Sequence, residues 1–76
     1  MKVKNLILIT GGLTKIRMVG TTDKDTYIDV WTGIIDDINF NDNQIPYGEY
    51  KIDHVTVINE TDEMVIVLDE SILFKI

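Results

Sequence analysis

Two runs of alternating apolar and polar residues open the readable part of the chain. In "LTKIRMV" (13–19), Thr14, Ile16 and Met18 fall on one side and Lys15 and Arg17 on the other. In "TYIDVWTG" (26–33), Ile28 and Val30 share one face, and Tyr27, Asp29 and Trp31 the opposite one. A period of two marks strands, and the polar stretch "GTTDKD", opened by Gly20, makes the pair a β-hairpin. A second hairpin follows, with "KIDHVTVI" and "MVIVL" flanking "NETDE". A four-residue loop, Glu60–Glu63, predicts the pairs Asn59/Met64, Val57/Ile66 and Val55/Leu68, which gather apolar residues on one face. A two-residue loop, Thr61-Asp62, sets Glu60 against Glu63 and is disfavoured by charge.

The same register leaves Thr56, Ile58, Val65 and Val67 on the other face. A hairpin solvated on one side alternates apolar with polar. This one is apolar on both sides, so something must cover the second face: the N-terminal segment, closure of the sheet into a small barrel, or another subunit. The first segment, Val3–Ile9, admits both helix and strand. Val3, Leu6 and Ile7 fit one helical face, and Gly11-Gly12 suits a helix C-cap. The tail "SILFKI" alternates Ile72, Phe74 and Ile76 with Leu73 and Lys75 and reads as a last edge strand. The expected fold is α+β: a small, strand-dominated domain over residues 1–76, with two hairpins, a terminal strand, a short N-terminal helix and a barrel-like closure as an option.

Length sharpens the covering problem. A chain of 76 residues buries only about 60–65% of the surface its unfolded form exposes. Small domains compensate with disulfides, metals or a second subunit. The chain has no Cys, which removes disulfides and thiolate zinc sites and leaves a homodimer or higher oligomer as the expected remedy. The apolar run Leu6–Ile9 is too short for a signal peptide, and no stretch is long and apolar enough to span a membrane. The expected location is the cytoplasm.

Thirteen acidic against seven basic residues give a formal net charge of −6. That balance opposes direct contact with a phosphate backbone or an anionic membrane. It favours a partner with a basic surface.

The irregular stretch "IIDDINFNDNQIPYGEY" (34–50) holds the candidate chemistry. As a calcium loop counted from Asp37, it puts Asn39 and Asn41 in ligand positions. Position 6 is then Asp42 instead of Gly, and position 12 is Gly48, so Glu49 misses by one. No metal or cofactor is expected. A catalytic trio would have to use Ser71 and His54 with an Asp such as Asp53 or Asp69, and the predicted register sets His54 opposite Asp69. No nucleophile elbow or glycine-built oxyanion loop surrounds Ser71. The Asp36-Asp37 pair has no cleft to work in, and "ITGGLTK" matches no phosphate-binding pattern. No catalytic residue is expected, and the chain is not expected to be an enzyme. The plainest reading of 36–44 is a solvated connection in which Asp and Asn accept turn conformations. The sharper one is a contact surface of Trp31, Asp36, Asp37, Asp42, Tyr47, Glu49 and Tyr50, because aromatic residues ringed by acids suit a basic partner.

The order "MKVKNLI", "TKIRMV", a strand ending "WTG", then "IPYGEYKIDHVTV" and a short acidic hairpin resembles a loose group of small phage and prophage proteins of Gram-positive bacteria. Their pattern runs "MKVKDLL", "TKIRI", a strand ending "EGW", "IPYELL" and a final hairpin. This chain departs from it at Gly48-Glu49, in its longer acidic segment and in the tail "SILFKI". The resemblance implies a phage accessory protein with an N-terminal helix and transfers no functional residue. Two functions are expected on this footing. One is an inhibitor that binds a host protein, in the manner of anti-defence (anti-CRISPR-like) factors. The alternative is an oligomer that sequesters a small ligand such as a nucleotide signal.

Overall fold

The computed structural model describes residues 1–10, 14–38, 45–58 and 60–75. A short helix α1 (Val3–Ile7) precedes the hairpin β1 (Lys15–Thr22) and β2 (Tyr27–Ile34). A 3-10 turn (Ile35–Asp37) leads away from β2, and then come β3 (Ile52–Ile58), β4 (Glu63–Leu68) and the two-residue β5 (Leu73–Phe74). Both expected hairpins form, and they join through a parallel ladder between β1 and β4, giving the order β2-β1-β4-β3. β5 pairs in parallel with β1 at Thr21 and Thr22. It resumes the line of β4 after the excursion Asp69–Ile72. The sheet is open, with β2 and β3 at its edges, so barrel closure is not how this chain covers itself.

The helix covers one face instead. Val3 and Ile7, four residues apart, are fully buried in a cluster with Ile16, Met18, Ile35, Ile38, Ile66 and Leu68. Each such side chain contributes roughly 1.5–3 kcal/mol of burial free energy. The helix start has no side-chain cap. Its unpaired donors are met by the backbone of the turn before β3: Val3 N–H donates to the Tyr50 carbonyl at 2.9 Å, and Lys4 N–H to that of Gly48 at 3.0 Å. At the other end the Thr10 hydroxyl donates to the Leu6 carbonyl at 2.7 Å. The expected glycine cap at Gly11-Gly12 lies outside the described residues.

Three expectations need correction. Gly20 does not open a turn. It lies buried within β1, where the Phe74 ring packs on its backbone. The turn comes later: Thr22 N–H donates to the Thr26 carbonyl at 2.8 Å, and Asp25 takes a left-handed φ of 59°. In β2, Trp31 does not oppose Ile28. Pairing steps from Met18/Trp31 to Val19/Asp29, so Val30 is the extra residue of a bulge. One extra residue shifts the phase, so Ile28 and Trp31 share the face of Met18 and Gly20.

The second hairpin turns one residue earlier than expected. Ile58 pairs with Glu63, Val57 with Met64 and Val55 with Ile66. Thr61 N–H donates to the Ile58 carbonyl at 3.3 Å, and Asp62 enters β4 with φ 53°. Asp accepts this left-handed conformation readily, which fixes the turn. The register moves by two residues, so each side chain keeps its expected face.

On the second face β4 is flanked by a strand on each side, β1 and β3. Val65 and Val67 are only 7% and 6% exposed yet stand outside the helix-side cluster. Their neighbours across the ladders are Arg17 and Thr56, and Val19 and His54. Arg17 is held across this face by Glu63 at 3.3 Å and Asp29 at 4.0 Å. Its hydrocarbon stem shields apolar surface while its charge stays paired.

Phe74 over Gly20 gives a direct test. A Cβ at Gly20 would strike that ring. Gly20→Ala is expected to cost about 1–3 kcal/mol by overpacking, more than the gain of about 0.4–1 kcal/mol from a stiffer unfolded chain. Thermal unfolding should show a loss of about 4–8 °C per kcal/mol. In a Phe74→Ala background the same change should cost little, whereas strictly additive losses would mean that the ring does not pack there.

Candidate functional site

The aromatic members of the expected contact surface are drawn into packing. Trp31 is half-buried, and its indole lies along the backbone of Gly33, where an added Cβ would come within 2.6 Å of it. Tyr47 and Tyr50 meet edge to face at 5.1 Å between ring centres. Phe74 stacks on Tyr50 at 6.1 Å and meets the edge of Tyr47 at 6.0 Å. Trp31, Tyr47, Tyr50 and Phe74 all pack against the core cluster. Tyr47 takes a left-handed φ of 54°, and its carbonyl accepts from Tyr50 N–H at 3.0 Å. These rings fasten the 45–50 turn to the sheet.

Glu49 is spoken for as well. Its carboxylate receives Lys2 Nζ at 2.9 Å and Lys4 Nζ at 2.6 Å. The Lys2 and Lys4 hydrogen bonds, followed by their positive charges, hold its pKa down from 4.5 to about 2. Asp42 and most of the calcium-loop pattern lie outside the described residues. Asp36 and Asp37 remain, exposed on the 3-10 turn that ends β2.

Of the two acids considered for His54, the structure brings Asp53, whose carboxylate meets its Nδ1; in the ladder His54 pairs with Val67, not with Asp69. Asp69 accepts the Ser71 backbone N–H at 2.9 Å, which with the Ser71 side chain lowers its pKa. Among the described residues no group of three or more His, Asp or Glu could hold a metal ion.

What the topology assembles is an acidic end of the sheet. The ladders align Ile34, Lys15, Glu63 and Ile58 in one row. Asp36 and Asp37 follow that row at β2, and Glu60 and Asp62 leave it at the β3–β4 turn. None of these four acids has an ion-pair partner among the described residues, and all are exposed. Lys15 is the cation of the row, since Arg17 is engaged by Glu63 and Asp29. The opposite end is mixed: Lys24, Lys51 and Lys75 accompany its acids. There the Tyr27 hydroxyl donates to Glu70 at 2.7 Å, and that bond with the Glu70 charge raises the Tyr27 pKa. Glu60 and Asp62 were missed as site residues. Their turn was readable, but only the parallel ladder brings it to the same end as Asp36.

Glu49 sets an acid limit on stability. A carboxylate whose folded pKa is depressed contributes stability that is full above its ordinary value and fades as pH falls towards the folded value. The melting temperature should therefore fall as pH goes from 4.5 to about 2. Glu49→Gln should flatten that part of the profile, and added salt should weaken the effect because the clamp is exposed. An unchanged profile in Glu49→Gln would show that the clamp does not hold the helix start in solution.

No family model matches the chain, and neither does any curated protein or solved structure.

Proposed function

We propose that this chain is a small acidic accessory protein, of the kind phages carry, that binds a basic surface of a host protein and blocks it. It would act in the host cytoplasm, without chemistry of its own, as an inhibitor of the anti-defence type. The observation that carries the reading is the segregation of charge: Asp36, Asp37, Glu60 and Asp62 stand exposed at one end of the sheet, with no ion-pair partner among the described residues. Charge gathered in this way steers a basic partner and sets its orientation. A groove built for a phosphate backbone is one such partner surface, because it presents clustered Lys and Arg. With Trp31, Tyr47 and Tyr50 turned to packing, recognition rests on charge more than on aromatic anchors.

The test is affinity capture from a Gram-positive host lysate with two baits: the natural chain, and one carrying Asp36→Asn, Asp37→Asn, Glu60→Gln and Asp62→Asn. Asn keeps the left-handed turn at Asp62. The natural chain should retain a basic protein that the variant does not. Retention should fall as salt rises from about 0.1 to about 1 M, which shortens the screening length from about 10 Å to about 3 Å. A protein held equally by both baits at both salts would contradict the reading.

A further inference from the structure

The two edges of the sheet differ in how they are protected. β2 carries the Val30 bulge at its middle, and a bulge turns an edge away from further pairing. β3 has its irregularity at Asp53, near one end. There Met1 and Lys2 already occupy the edge: Ile52 N–H donates to the Met1 carbonyl at 2.9 Å, and Lys2 bridges Lys51. From His54 to Ile58 the edge is regular and has no strand partner among the described residues. It contains neither Lys nor Pro, the usual guards of an open edge. Val55 and Val57 on it are 41% and 60% exposed, on the same face as Met64 and Ile66.

The geometry points to a second copy of this chain as the occupant of that edge, paired antiparallel about a two-fold axis at Thr56. This register starts where Met1 and Lys2 stop. It sets Val55 against the partner's Val57 twice, so four exposed valines cover one another on the helix side. Thr56 meets the partner's Thr56 on the other side, and His54 meets the partner's Ile58. No like charges face each other. A basic peptide would find only Asp53 along the free edge, and that carboxylate already holds His54. The acidic ends stay outside the contact, so the assembly would present two of them.

A contact of one strand per copy falls short of the roughly 1,200 Å² of a standard stable interface, so the dimer is weak. Sedimentation equilibrium from micromolar to several hundred micromolar should show a mass rising from 8.7 kDa towards twice that value. Thr56→Lys places two ammonium groups face to face at the axis and should raise the dissociation constant at least tenfold, with an unchanged circular dichroism spectrum. Val57→Glu, at another exposed position, should do the same if the lysine variant folds poorly. Thr32→Lys on the β2 edge should leave association as it was. A natural chain that stays at 8.7 kDa throughout would overturn the proposal. So would a dimer that Thr56→Lys and Val57→Glu leave intact, or one that Thr32→Lys weakens instead.

Discussion

Ile16 and Met18 of β1 lie beside Met64 and Ile66 of β4, strand running with strand, and the architecture hangs on that parallel ladder. Each hairpin alone is a two-stranded ribbon, which is marginal in water. Joined, they give β1 and β4 two neighbours each, and a face wide enough for α1 and the 3-10 turn to close with Val3, Ile7, Ile35 and Ile38. A parallel pair cannot be made by a tight turn. It requires the chain to leave β2, cross over and return through β3. The length of chain between β2 and β3 meets that requirement.

Much of this was legible. The strands β1 and β2, a turn within "NETDE" and a helix as one of the two options for the N-terminal segment follow from local pattern, and these elements form. What failed was what local pattern cannot hold. Phase in β2 is lost at Val30, because a bulge leaves no mark on an alternating sequence, and Trp31 changes face with it. Gly20 looked like turn punctuation, but its missing side chain makes room for Phe74, more than fifty residues away in sequence. The two-sided apolar character of "MVIVL" fits the central place of β4, which lies between β1 and β3.

The candidate site divides in the same way. Asp36 and Asp37 were found by composition, and they stand exposed. Glu49 was counted among them, but its charge is spent on Lys2 and Lys4, which close the helix onto the turn. Tyr47 and Tyr50 serve the same closure through Phe74. Glu60 and Asp62 join the acidic end only because β4 runs parallel to β1. Charge available for recognition is thus a product of topology, and net charge alone does not locate it.

Native-state amide hydrogen exchange, followed residue by residue by NMR, tests the central role of the β1–β4 ladder most directly. If the ladder holds the hairpins in one cooperative unit, the paired amides of Ile16–Val19 and Met64–Val67 exchange only through global unfolding, with one common free energy, while the outer edges of β2 and β3 exchange earlier. Separate opening free energies for the two hairpins, or β4 amides exchanging as fast as those of an edge strand, would contradict it.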